Sequence, residues 1–226
     1  MHKFKGFFLL SDFDGTFTDN NGLIPQANID AAEYFISEGG LFTICTGRSA
    51  QGFHRYDPAY INAPVIVGNG TAAYDYAADK VVFADCIGSE GFGLVRMLRD
   101  NFPDVPIEMY PFGKAFTIHA NDVTERHLSS QSIPYFEIAD PALGETPWQK
   151  IMLNTGSDTA LSLEIQRAVA AKSSELYAIP TSGTWIEIVR KGVSKAAGMF
   201  RLADIMGVER KNVACCGDGY NDVSML

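Results

Sequence analysis

Leu9-Leu10-Ser11-Asp12-Phe13-Asp14-Gly15-Thr16 is the stretch from which the rest of the chain is read. The apolar run Phe7-Phe8-Leu9-Leu10 predicts a buried strand. It stops at two aspartates spaced i and i+2. A continuing strand would set Asp12 and Asp14 on one face, but Gly15 predicts a sharp turn there. Two carboxylates crowded at a strand end repel each other. A fold tolerates them when a cation lies between them or when one holds a proton, and both conditions suit phosphoryl transfer with Mg2+. The plainer alternative is an ordinary Asp-Gly turn that ends a strand.

Working outward, Phe17–Gly22 reads as a polar turn, and Pro25 stands where a helix begins. Ile29, Ala32 and Phe35/Ile36 give helical spacing up to Gly39-Gly40. The strand Leu41–Cys45 stops at Thr46-Gly47-Arg48-Ser49, and Val65-Ile66-Val67 stops at Gly68-Asn69-Gly70. This is the pattern of an α/β fold with a doubly wound, mostly parallel, Rossmann-like sheet, which binds ligands at the carboxyl ends of its strands. Ala72–Asp75 and Val81–Ala84 read as a hairpin.

From Asp85 the character changes. Ser89 is the expected cap of a helix carrying Phe92, Val95 and Leu98. Strands follow at 107–110 and 115–118, then a short helix near 123–128 and a loop containing Pro134, Pro141 and Pro147. Further strands are expected at 150–153, 176–179 and 185–189, with a helix over 161–171. The expected organisation is therefore a discontinuous core, 1–84 and 190–226, carrying an inserted α+β domain over 85–189 with hinges at its two junctions. The core pattern returns with Ser194 as a helix N-cap and Lys195 in the first turn. A lysine there opposes the helix dipole, at a cost of a few tenths of a kcal/mol, and that helix end attracts anions. A last strand, Asn212–Cys216, runs into Gly217-Asp218-Gly219-Tyr220-Asn221-Asp222.

The 226 residues, 46% of them hydrophobic, suffice for one domain with an insert. A net charge of −9 argues against nucleic acid or an anionic membrane as partner. It leaves room for a small phosphate ester, because one lysine, arginine or metal ion can dominate a pocket. Cys45, Cys86, Cys215 and Cys216 show no metal-site spacing. Cys45, Cys215 and Cys216 are expected as buried free thiols, which suits a reducing, cytoplasmic setting. The apolar N-terminal run is too short for a signal peptide, and no run approaches the ~18 residues of a membrane span.

Four stretches now stand in order: Asp12-Phe13-Asp14-Gly15-Thr16, Thr46-Gly47-Arg48, Lys195 and Gly217–Asp222. Together they resemble the four motifs of the haloacid dehalogenase superfamily. The Thr-Gly-Arg stretch, the large insert and the last loop resemble its Cof-type phosphatases, which carry an α/β cap. The resemblance implies a Mg2+-dependent phosphomonoester hydrolase acting on a small phosphorylated metabolite such as a sugar phosphate. It makes Asp12 the nucleophile and Asp14 the acid and base. Thr46, Gly47, Arg48 and Asn221 would hold the phosphoryl group, and Lys195 would offset charge on Asp12 and the phosphate. Asp12, Asp218, Asp222 and the backbone carbonyl of Asp14 would serve the metal. Two alternatives stay open: a phosphotransferase or sugar-phosphate mutase using the same aspartyl-phosphate, and a phospho-ligand-binding protein without turnover. Cof-type proteins continue beyond the residue matching Leu226, so the core reads as truncated at its C-terminal end. The strand at 213–216 is then an open sheet edge, available to a second copy.

Overall fold

The computed structural model describes residues 2–56, 58–181 and 184–226. In chain order its main elements begin with β1 (Phe8–Ser11), α1 (Gln26–Ser37), β2 (Leu41–Ile44) and α2 (Ala50–Phe53). Next come β3 (Val65–Val67), β4 (Ala72–Asp75), β5 (Lys80–Ala84), α3 (Phe92–Asn101) and β6 (Ile107–Met109). They are followed by β7 (Ala115–Ile118), α4 (Asp122–Ser130), β8 (Tyr135–Glu137), β9 (Ile151–Asn154) and α5 (Thr159–Lys172). The chain closes with β10 (Leu176–Pro180), β11 (Trp185–Arg190), α6 (Lys195–Ile205) and β12 (Val213–Cys216).

Two units emerge. The first comprises Met1–Arg48, Tyr56–Ala84 and Val193–Leu226. Its centre is a parallel sheet in the order β12-β1-β2, with Ser11 opposite both Cys216 and Ile44. A parallel bridge from Cys45 to Ile66 leads to the antiparallel meander β3-β4-β5. Phe8 and Leu10 are fully buried and pack with Met199, Leu202 and Ala203 of α6. Burial of side chains of this size contributes about 1.5–3 kcal/mol each. The strands are therefore short and firmly held, and their carboxyl ends carry Asp12, Thr46, Asn69 and Asp218.

The second unit is Asp85–Gly192 together with Ser49–Arg55. Its sheet runs β10-β11-β9-β6-β7-β8, antiparallel except for β7 and β8, which the α4 crossover makes parallel. Ile107, Ile151, Leu153, Ile186 and Ile188 form one core with Leu94, Val95 and Leu98 of α3 and Ile165 and Val169 of α5. The alternate positions carry a buried polar network. Lys150 pairs with Glu187 at 3.2 Å, and Glu108 accepts from Tyr110 and meets His127 Nδ1 at 2.9 Å. The sheet with its helices is the inserted α+β domain of the fold class.

Several expectations need correction. Ser49–Arg55, read from the sequence as core, goes with the second unit because Gln149 and Gln51 fasten it there. The return to the first unit falls after Gly192 rather than after Val189. β11 extends through Arg190, whose Nε donates to the Cys86 carbonyl at 2.8 Å, and Gly192 turns the chain at φ +87°. Ser89 does not cap α3, whose N-cap is Gly91 without a side-chain bond. β8 arises in the stretch read as a proline-rich loop, because pairing with β7 overrides its weak local signal. All four cysteines are free, but only Cys45 is buried. Cys216 is exposed: among the described residues β12 pairs only with β1, and Cys216 lines a groove of about 420 Å³ together with Leu9, Ser11, Ala31 and Phe35.

Candidate active site

The site is built from the loops that leave the parallel strands of the first unit. Past β1 the Asp12 N–H still donates to the Cys216 carbonyl at 2.9 Å, as the parallel register demands. The chain then curls. Phe17 N–H bonds Asp12 O at 3.2 Å and Thr18 N–H bonds Phe13 O at 2.8 Å, with Gly15 at φ +86°. The curl sends the two aspartates apart. Asp12 is 6% exposed, whereas the Asp14 side chain is 51% exposed and grips Arg48 in a two-pronged pair, Nε to Oδ2 at 2.9 Å and Nη2 to Oδ1 at 2.7 Å. Crowding between Asp12 and Asp14, expected from their spacing, is thus relieved by the turn, and the Asp14 carboxylate stands outside the acidic cluster. Burial penalises the Arg48 guanidinium, but Asp14 outweighs it and lifts its pKa above the ordinary value. The Arg48 guanidinium also lies over the rings of Phe13 and Tyr56, at 5.8 and 5.3 Å.

Lys195 is the first residue of α6, and Ser194 caps that helix by accepting from Ala197 N–H at 3.1 Å. Its side chain is fully buried and joins two carboxylates, Asp12 Oδ1 and Asp222 Oδ1, the latter at 2.6 Å. These pairs outweigh the unfavourable position at the helix start. Burial works against the ammonium, but Cys45, Asp12 and the hydrogen bonds to Asp12 and Asp222 raise its pKa on balance. Burial pushes the Asp12 carboxyl up in spite of Lys195. Asp222, fully buried, uses its other oxygen to accept from Asp218 N–H at 3.1 Å and Gly219 N–H at 2.8 Å. One carboxylate therefore shapes the whole 217–222 loop. Thr16 donates to Asp218 Oδ1 at 2.6 Å and ties that loop to the curl after β1.

Asp12, Asp218 and Asp222 each present an oxygen within 4.8 Å of the others. Lys195 pairs with Asp12 and Asp222 but not with Asp218, so negative charge is left in excess, and an all-oxygen donor set suits a hard divalent cation. Gly15 keeps this cluster open: a Cβ there would lie 2.8 Å from Asp218 Oδ2. Gly15→Ala is expected to cost about 1–3 kcal/mol for a side chain at positive φ. It should also displace Asp218 and so disturb the acidic cluster; thermal melts with and without a divalent cation measure both effects.

The remaining strand ends close the other side. Thr46 is buried and its hydroxyl accepts from Arg48 N–H at 3.1 Å. Asn69 holds a left-handed conformation (φ 55°), donates from its backbone to Thr46 O at 3.0 Å and accepts from Asn221 Nδ2 at 3.0 Å. A Cβ on Gly47 would meet Asn69 Oδ1 at 3.0 Å, so the glycine leaves room for this approach. Asn221 is thus oriented by Asn69. Asn69 joins Thr46, Gly47 and Asn221 as part of the site. Its signal in the sequence is only the Gly-Asn-Gly at the end of a strand.

Comparison with known proteins accords with this geometry. A model of the haloacid dehalogenase-like hydrolases matches residues 9–226. Pyridoxal phosphate phosphatase YbhA of Escherichia coli (strain K12) is 26% identical over 227 residues, covering 95% of this chain and 82% of that one. A haloacid dehalogenase-like hydrolase from Bacteroides thetaiotaomicron superposes with a TM-score of 0.85 at 19% identity, over 99% of this chain and 85% of that one. The subclass IIB sugar phosphatase BT4131 superposes with a TM-score of 0.78 at 19% identity, over 97% and 83%. Members of this family generally use a divalent metal, which the Asp12, Asp218 and Asp222 cluster fits. No helix among the described residues is long and apolar enough to cross a membrane. By its four ordered motifs, three at strand ends and one at the start of α6, its inserted α+β domain and the match along nearly all its length, the chain belongs to the haloacid dehalogenase-like hydrolases, as an enzyme of the Cof-type phosphatase branch.

Proposed function

We propose that this enzyme hydrolyses small phosphorylated metabolites, sugar phosphates among them, with Mg2+ as its ion. The observation that carries the reading is Lys195, fully buried between Asp12 and Asp222. A cation so placed holds Asp12 as a carboxylate facing the phosphate and offsets the charge that gathers there. The reading assigns attack on phosphorus to Asp12: its oxygen forms the new P–O bond as the bond to the leaving alcohol breaks. Asp14 supplies the proton to that alcohol. It then takes one from the water that hydrolyses the aspartyl-phosphate, releasing phosphate and restoring Asp12. Asp14 has both oxygens on Arg48, so this role requires Arg48 to give up at least one of them. Thr46, Gly47 and Asn221 are assigned to the phosphoryl oxygens, with Asn69 holding Asn221.

Both Asp222 oxygens are already engaged, by Lys195 and by two backbone N–H groups. Asp12 and Asp218 are therefore the direct carboxylate ligands in this reading, with the Asp14 backbone carbonyl, and Asp222 acts through water. The bound ion would supply charge neutralisation on the phosphoryl oxygens. The small-metabolite substrate class is supported by YbhA, named for pyridoxal phosphate, and by a sugar phosphatase that shares the fold. Four free cysteines support a reducing compartment such as the cytoplasm.

The test is phosphate release from a panel of sugar phosphates, pyridoxal phosphate and an aryl phosphate, with Mg2+ and with chelator. Release that needs Mg2+ is expected. Turnover untouched by chelator would remove the metal from the reading. Release that rises with an added acceptor sugar would point to phosphotransfer, and tight binding without release to a phospho-ligand-binding protein.

A further inference from the structure

The chain leaves the first unit at the peptide bond between Arg48 and Ser49 and returns to it between Arg55 and Tyr56. The two flanks of this excursion touch each other. The Arg48 guanidinium lies 5.3 Å from the Tyr56 ring centre, and Tyr56 meets Phe13 edge-on at 4.5 Å. The same guanidinium closes on both oxygens of Asp14. On its other side Arg48 is fixed through its backbone: N–H to Thr46 Oγ1 at 3.1 Å, and carbonyl from Gly68 N–H at 2.8 Å.

Inside the second unit a buried amide fastens the start of the excursion, and Gln51 and Arg55 add further bonds. Gln149 has no exposed surface. Its Oε1 accepts from Ala50 N–H at 2.9 Å, and its Nε2 donates to Gln51 Oε1 at 2.9 Å and to Pro111 O at 3.2 Å. Gln51 in turn donates to Pro111 O at 3.0 Å and Lys114 O at 2.7 Å. Arg55 donates to Ser130 O at 2.6 Å. Successive Cα atoms are held about 3.8 Å apart, so a displacement of Ser49 bears directly on the Arg48 backbone.

We propose that Gln149 is a positioning residue that ties the Ser49–Arg55 excursion to the second unit, so that this unit controls the grip of Arg48 on Asp14. Arg48 is then a latch: closed, it occupies both Asp14 oxygens, and withdrawn, it frees them. The kinetic consequence rests on Asp14 acting as proton donor; the mechanical coupling does not.

Two variants cut the tie from opposite ends. Gln149→Ala removes the amide. Ala50→Pro removes the N–H that Gln149 accepts from, and proline is tolerated at the first residue of a helix. Ile165→Val, in the core of the second unit, controls for mere loss of stability there. Hydrogen exchange on the full chain is expected to show the amides of Arg48 and Gly68 opening about tenfold faster in both cut variants, as for loss of a buried hydrogen bond. The control should leave them unchanged. Faster exchange confined to Ala50–Phe53, with Arg48 and Gly68 at the wild-type rate, would overturn the coupling.

In turnover of an aryl phosphate, each cut should raise kcat about tenfold with KM unchanged, because a looser Arg48 frees Asp14 more often. Adding Gln149→Ala to an Arg48→Lys variant should raise kcat no further, because the latch is already gone. Full additivity of the two gains would again overturn the proposal. A wild type that released no phosphate would refute the phosphatase reading alone, and the exchange measurement would still decide the coupling.

Discussion

Lys195→Met is expected to abolish phosphate release and to lower folding stability by about 3–5 kcal/mol, the range for breaking a buried ion pair from one side. The reason lies in what the ammonium leaves behind. Asp12 and Asp222 both spend a hydrogen bond on Lys195, and neither gains a replacement from a methionine. Asp222 also holds the backbone of Asp218 and Gly219, so its disturbance spreads to the loop that completes the acidic cluster. For a chain of this length a loss of that size lowers Tm on the order of 10 °C. The deficit should depend on pH. Burial already raises the Asp12 carboxyl above its usual value with Lys195 present. A carboxyl whose folded pKa is raised adds stability that is present below its unfolded pKa and lost as pH rises through the folded one. In metal-free buffer the variant should therefore fall further behind the wild type at pH 8 than at pH 5. Denaturant melts at the two pH values check this, and equal stability of variant and wild type at both would remove Lys195 as the tie between the carboxylates.

Asp12→Asn should separate chemistry from folding. Turnover is expected to fall at least about 10⁴-fold, as for loss of a nucleophile. Asparagine has the same shape and keeps an acceptor for Lys195, and the Asp12 backbone bond to Cys216 does not involve the side chain. Stability should then change by no more than about 1–2 kcal/mol. Phosphate release and thermal melts on the same preparation measure both. An asparagine variant that turned over at the wild-type rate would exclude Asp12 as nucleophile. Read together, the two substitutions assign different duties to partners in one contact. The expected results would make the Asp12 carboxylate a requirement of the reaction and not of the fold, and Lys195 a requirement of both.

The sequence by itself determined the class of fold and the identity of the loops that form the site. Strand–helix–strand units with polar turns after Asp12, Thr46 and Gly68 place those turns together, because parallel strands bring all their carboxyl ends to one edge of a sheet. The apolar strands and the 3.6-residue spacing of α6 are local patterns, readable without any partner. Tertiary structure alone decided how the side chains pair. Lys195 finds Asp12 across 183 residues, and Arg48 finds Asp14 across 34. The direction in which each aspartate points depends on the curl at Gly15, a single backbone angle that leaves no periodic trace in the sequence. For the same reason the aspartate spaced two from Asp12 leaves the cluster while Asp218 and Asp222, some two hundred residues on, complete it. Membership of Ser49–Arg55 in the second unit was equally hidden, since it depends on hydrogen bonds from Gln149, a residue whose type and neighbours in the chain announce nothing.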